Sequence, residues 1–223
     1  ELYLQGGLFL KNKVAFLFSK DNDWISHYLR SEDFRNEWSG TIDHFYDKDL
    51  VSNYDVVFVL GYTKVLDDYF LNRNKLTLVI HESAVPIGKG FSPIQWQLLD
   101  DAESVTVTLL ECALQVDSGD IILQEQLEFD GTELLDEIRL KQAKSSVSLI
   151  KKFLNSYPNY NRTKQVGIGS TFPKRGAEDN CLCVDKTIKD QFNLLRVGNN
   201  EEWPSYFEYR GSKYVLKIFK TDA

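Results

Sequence analysis

Three short, almost unbroken apolar runs constrain this chain more than anything else in it. They are Lys13-Val-Ala-Phe-Leu-Phe-Ser19, Tyr54-Asp-Val-Val-Phe-Val-Leu60 and Leu76-Thr-Leu-Val-Ile-His81. A strand with one wet face alternates apolar and polar residues. A run that does not alternate predicts a strand covered on both faces, the pattern of a parallel sheet. Between the runs lie helix signals. Asp21-Asn22-Asp23 supplies capping residues, and Trp24, Ile25, Tyr28 and Leu29 follow at helical spacing. A short helix is expected over residues 65–70, and residues 41–46 read as a weaker strand. Strands alternating with helices give an α/β fold with a mostly parallel sheet. Ligands in such sheets bind beyond the carboxyl ends of the strands, and His81 stands at one of those ends.

The pattern changes after Pro93. Residues 93–100 read as a helix with proline in its first turn. Residues 104–110 alternate with period two, residues 121–129 form a further strand, and Gln115-Val-Asp-Ser-Gly-Asp120 between them is a turn by composition. A long helix is expected over residues 132–154, capped by Thr132. Past Tyr157-Pro158-Asn159 the chain becomes polar and glycine-rich, which places a domain boundary there, with residues 8–158 before it and 159–223 after. In the smaller part, Asp185 is expected to cap a helix carrying Ile188, Phe192 and Leu195 on one face. A β-hairpin follows, turning near Arg210-Gly211-Ser212. Residues 1–7 look like the remnant of a protease-cleavage linker and are set aside.

Composition limits the function classes. The chain has 223 residues, 43% of them hydrophobic, enough for a core without staples. Its three cysteines argue against a disulfide framework and for a reducing compartment. Cys181-Leu182-Cys183 lacks further ligands nearby, so no metal site is expected. A net charge of −7 opposes broad nucleic-acid binding. No apolar run reaches the roughly 18 residues of a membrane helix, so no membrane contact and a cytoplasmic location are expected.

Of the three histidines, His27 falls in an expected surface helix and His44 in the weak strand. His81 opens His81-Glu-Ser-Ala-Val-Pro86, which continues into Lys89-Gly-Phe-Ser-Pro93 and Gln95-Trp-Gln97; Val116-Asp-Ser-Gly-Asp120-Ile-Ile-Leu-Gln124 comes later. Together these segments resemble the core of the folate-dependent formyltransferases, a likeness that extends over residues 13–155. The family places a catalytic histidine after a strand and an aspartate in a D-x-G turn thirty-six positions later, the separation of His81 from Asp117. The resemblance implies a Rossmann-like sheet of the formyltransferase type with a small C-terminal helix and hairpin. It also implies N10-formyltetrahydrofolate as co-substrate, with its pterin recognised by the stretch through Leu110, Cys112, Val116 and Asp117. Histidine suits proton transfer near neutral pH, and a carboxylate beside it orients the ring and stabilises its charged form. Asp120, in the same turn, is the weaker candidate for that role. The sequence departs from the family at Val79, where an asparagine normally donates to the developing oxyanion. Ser83, Thr77 or a backbone N–H would then have to replace it, unless turnover is slow or only binding is kept.

The C-terminal segment narrows the acceptor. Residues 185–197, Trp203-Pro-Ser-Tyr-Phe207 and residues 211–218 resemble the tail of nucleotide-sugar N-formyltransferases acting on dTDP-linked 3- or 4-amino-dideoxy sugars. The Gly88–Pro93 loop also resembles that branch. That resemblance implies substrate contacts from Lys89, Ser83, Asn193, Arg196, Tyr206 and Phe207, a homodimer, and a place in O-antigen or lipopolysaccharide synthesis. Asn193 would pair with a thymine edge, Arg196 with pyrophosphate, and Tyr206 or Phe207 would stack on the base. The alternatives are a methionyl-tRNA-type formyltransferase, a formyltetrahydrofolate hydrolase, and a catalytically weak binder of folate or nucleotide sugar.

Overall fold

A computed structural model describes residues 12–29 and 41–221; the linker reading of residues 1–7 lies outside them. The chain forms two compact units, Glu1–Val79 and Ile80–Ala223. The first contains β1 (Lys13–Phe18), α1 (Trp24–Leu29), β2 (Thr41–Phe45), β3 (Val56–Leu60), α2 (Asp68–Asn72) and most of β4 (Thr77–His81). β1 pairs in parallel with β2 and β3, and β3 pairs in parallel with β4. Every side chain from Val14 to Phe18 and from Val56 to Leu60 is buried, so these runs have no polar alternation. The helix expected over residues 65–70 begins later. Asp67 is its cap, its carboxylate accepting from the Phe70 N–H at 2.8 Å.

The second unit holds β5 (Lys89–Gly90), α3 (Pro93–Leu99), β6 (Ser104–Glu111), β7 (Ile121–Glu128), α4 (Leu135–Ser156), β8 (Thr171–Phe172), α5 (Phe192–Arg196), β9 (Ser205–Tyr209) and β10 (Ser212–Leu216). The six-stranded sheet runs β2-β1-β3-β4-β6-β7, so the fold is α/β with a mostly parallel sheet. β6 and β7 pair antiparallel, from Ser104↔Glu128 to Leu109↔Leu123. Their register then slips between Leu109 and Leu110, a bulge at the end of the hairpin that carries Asp117. Ile94, Leu98, Val105, Phe129, Ile138 and Val197 make a buried cluster in this unit.

Two helix starts differ from expectation. Thr132 does not cap α4. Its N–H and hydroxyl both turn back to the Asp130 carboxylate, at 2.8 and 2.7 Å, and Glu137 accepts the Leu134 N–H at 2.9 Å instead. A side chain that satisfies a nearby turn is lost to the helix end. Asp185 does not cap a helix either. Thr187 and Asp190 bond each other, a 3-10 turn follows at Lys189–Gln191, and α5 begins only at Phe192, leaving Ile188 exposed. The hairpin turn is as expected. Arg210 and Gly211 have φ of 50° and 79°, so both central residues are left-handed, and Tyr209 pairs with Ser212. A two-residue turn of this hand matches the twist of its strands.

Candidate active site

His81 ends β4 and is buried. Its Nε2 lies 2.8 Å from the Gly88 carbonyl oxygen. A carbonyl only accepts, so this ring nitrogen carries the proton. Nδ1 faces the Asp117 carboxylate 3.5 Å away, and the two side chains are 7% and 8% exposed. The same Asp117 oxygen accepts the Gly90 N–H at 2.9 Å. Asp117 therefore holds both the ring of His81 and the loop that bears on the ring's other side. The two residues thirty-six positions apart in the chain meet in one enclosed cluster.

The turn that presents Asp117 is tightly made. Asp117 has φ of 50°, a left-handed conformation that aspartate tolerates better than most residues. Gly119 is required, because a Cβ there would overlap the Glu111 carbonyl oxygen. Gln165 donates from Nε2 to the Asp117 and Gly119 carbonyls, both at 2.8 Å.

The loop after His81 is anchored from several sides. Gln97 donates to the Glu82 carbonyl at 2.7 Å, Thr108 to the Ser83 carbonyl at 2.7 Å, and Gln142 to the Glu82 carboxylate at 3.1 Å. Ser170 accepts the Gly88 N–H on its hydroxyl at 2.9 Å. Gly88 is left-handed at φ 72°, and a Cβ there would stand 2.7 Å from the Phe172 ring and 3.1 Å from Ser83 Cβ. Burial pushes the Glu82 carboxyl above its ordinary pKa, while His81 and the Gln142 hydrogen bond pull the other way. Burial, with the charges of Asp117 and Glu111, pushes the Cys112 thiol up as well.

The other expected site residues fall into two groups. Near the cluster, Ser83 is buried and its hydroxyl has no partner among the described residues. Lys89 donates its backbone N–H to the Ser170 carbonyl, in β5. Leu110 is buried, and Val116 is exposed beside Asp117. Among the described residues, no hydrogen bond or ion pair joins the C-terminal candidates to His81. Asn193 donates to Asp101 at 2.6 Å, and Arg196, only 2% exposed, sits 3.3 Å from the buried Glu133 carboxylate. A pyrophosphate would compete with that carboxylate for Arg196. Lys213 lies over the Tyr206 ring at 3.5 Å. Phe207 stacks on Tyr214 and, with Leu182, Ile188, Leu195 and Leu216, lines an apolar cavity of about 320 Å³. At Val79 the strand carries a half-buried side chain with nothing to donate, and the Thr77 hydroxyl is buried without a partner among the described residues.

Gln97 stands in one of the segments that carry the resemblance, but Gln165, Ser170, Thr108 and Gln142 were not singled out by sequence reasoning. They carry no motif of their own, and only the fold brings them to the site.

Residues 11–153 match the model of the formyl transferase family. The methionyl-tRNA formyltransferase of Clostridioides difficile strain 630 is 26% identical over 182 residues, 79% of this chain and 58% of that enzyme. The chain thus spans under two thirds of that relative's length. Among solved structures, a methionyl-tRNA formyltransferase from Clostridium thermocellum superposes with a TM-score of 0.79 at 16% identity, over 94% of this chain and 93% of that one. A sugar N-formyltransferase from a Shewanella species gives 0.68 at 14% identity, over 95% and 99%. No helix among the described residues is long and apolar enough to cross a membrane. With the family model matched over most of its length, this chain belongs to the formyl transferase family.

Proposed function

We propose that this protein transfers a formyl group from N10-formyltetrahydrofolate to the amine of a dTDP-linked 3- or 4-amino-dideoxy sugar. The observation that carries the chemistry is the enclosed His81–Asp117 pair at the carboxyl end of a sheet strand. The amine nitrogen attacks the formyl carbon, a C–N bond forms, and the carbonyl oxygen takes up negative charge. The amine's proton goes to His81, whose charged form Asp117 stabilises. The carbonyl then reforms, the bond to N10 breaks, and the leaving nitrogen takes the proton back. Taking the first proton needs a ring nitrogen with a free lone pair. On this reading the Gly88 carbonyl gives up Nε2 when the acceptor enters and the ring proton is carried on Nδ1 toward Asp117, which leaves the Nε2 lone pair free, on a loop already bounded by Gly88 and Gly90. Folate, when bound, supplies the activated formyl group. Backbone groups of residues 110–117 would hold its pterin.

The sugar acceptor rests on the likeness of the C-terminal segment to nucleotide-sugar enzymes and on a net charge of −7, which disfavours tRNA. Lys89 and Ser83 are the contacts kept from the cluster, and Tyr206 and Phe207 those kept from the hairpin. Asn193 and Arg196 complete the set implied by that likeness, and each has a carboxylate beside it, Asp101 and Glu133. A homodimer in the cytoplasm, serving cell-surface glycan synthesis, is the setting this reading implies.

The test is mass spectrometry of dTDP-3-amino and dTDP-4-amino sugars incubated with the protein and 10-formyltetrahydrofolate. One sugar is expected to gain one formyl group, and His81→Ala to slow this by about 10²–10⁴-fold. Formate release with no formylated sugar would overturn the transferase reading in favour of a hydrolase.

A further inference from the structure

The segment from Thr163 to Phe172 ties together the two loops that hold His81. At one end Thr163 pairs with Ile121 through both backbone groups, at 2.9 and 2.8 Å, beside the Asp117 turn. At the other, Ser170 bonds the Pro86 carbonyl and the Gly88 N–H, and β8 pairs with β5. Gln165 lies between these anchors. Its side-chain nitrogen spans the turn, with one bond to the Asp117 carbonyl and one to the Gly119 carbonyl, both at 2.8 Å. Two carbonyls accept and never donate, so only the nitrogen end of the amide fits there; its oxygen is buried with no partner among the described residues. The clamp thus closes on a left-handed Asp117 whose turn is already wedged against Glu111 at Gly119.

We infer that Gln165 is the positioning residue of the reaction, setting Asp117 against His81 from outside the histidine–aspartate motif. The inference rests on the role given to Asp117 above. A carboxylate 3.5 Å from the ring must be held to a fraction of an ångström, and Gln165 bonds the turn's carbonyls on both sides of Ser118. Gln165 touches neither reacting atom and acts only through the turn.

The test uses Gln165→Ala and Gln165→Glu in the full chain. The glutamate keeps the shape but turns an acceptor toward two carbonyls. Two readouts are needed. The first is amide hydrogen exchange at Gly90, whose N–H bonds Asp117, in protein without ligands. Exchange about tenfold faster in both variants is expected, the equivalent of one net hydrogen bond. The second is kcat. A fall of about tenfold is expected with KM for the acceptor unchanged, and no further fall when Gln165→Ala is added to Asp117→Asn, since residues acting through one group are not additive. A lower melting temperature with Gly90 exchange unchanged, or losses that multiply in the double variant, would make Gln165 merely structural and overturn the inference. If no sugar is formylated at all, the proposed acceptor fails while Gly90 exchange still decides the role of Gln165.

Discussion

His81 is held by a carbonyl on one ring nitrogen and a carboxylate on the other, so its neighbours decide how it works. Val79, two residues earlier on the same strand, shares its face and donates nothing. Losing such a donor costs about 10²–10³ in rate. Val79→Asn is therefore expected to raise kcat severalfold; an unchanged kcat would show that another donor, such as the Ser83 hydroxyl, already serves. Glu82 offers a pH prediction. Burial raises its folded pKa above the unfolded value of about 4.3. Its contribution to stability is thus present below that value and is lost as pH rises through the folded pKa. Glu82→Gln, which keeps an acceptor for Gln142, should melt higher than the parent at pH 7.5 and equally near pH 4. Thermal melts at the two pH values check this.

At the level of elements, the approach to α4 is organised by one buried carboxylate. Glu133, 4% exposed, accepts from the Asp130 and Gly131 N–H groups at 3.0 and 3.1 Å and from Lys141 at 2.5 Å, with Arg196 at 3.3 Å. Burial pushes its pKa up, but the hydrogen bonds from Lys141 and the backbone together bring it below the ordinary value. Its stabilisation is present above the unfolded pKa and is lost as pH falls through the folded one. Glu133→Gln should cost about 3 kcal/mol near neutral pH, because it strands the buried Arg196 charge, and less in acid; chemical denaturation at both pH values measures it. The strands were legible in the sequence because burial on both faces writes itself as unbroken apolar runs. Helix starts were less legible. Thr132 and Asp185 have capping chemistry, but Thr132 satisfies a local turn, and the Thr187–Asp190 pair takes the place given to Asp185.

For the molecule as a whole, a charge of −7 makes a specific expectation. A protein with more acidic than basic residues gains little from counterion release, so it should not retain tRNA at about 0.15 M salt. Filter binding measures this, and tight retention with formylation of methionyl-tRNA would favour that acceptor over a sugar. The sequence by itself determined the buried parallel strands, the hairpin turn at Arg210-Gly211 and the His81–Asp117 pair. Each is local, or is carried by a motif of fixed spacing. Only the tertiary structure decided what holds the pair in place. Gln165 reaches Asp117 across 48 positions and Ser170 reaches Gly88 across 82, and contacts between residues so far apart depend on how the chain folds back, which no local pattern records. It also decided that Arg196 faces a buried carboxylate, because burial is a property of the packed chain and not of the residue.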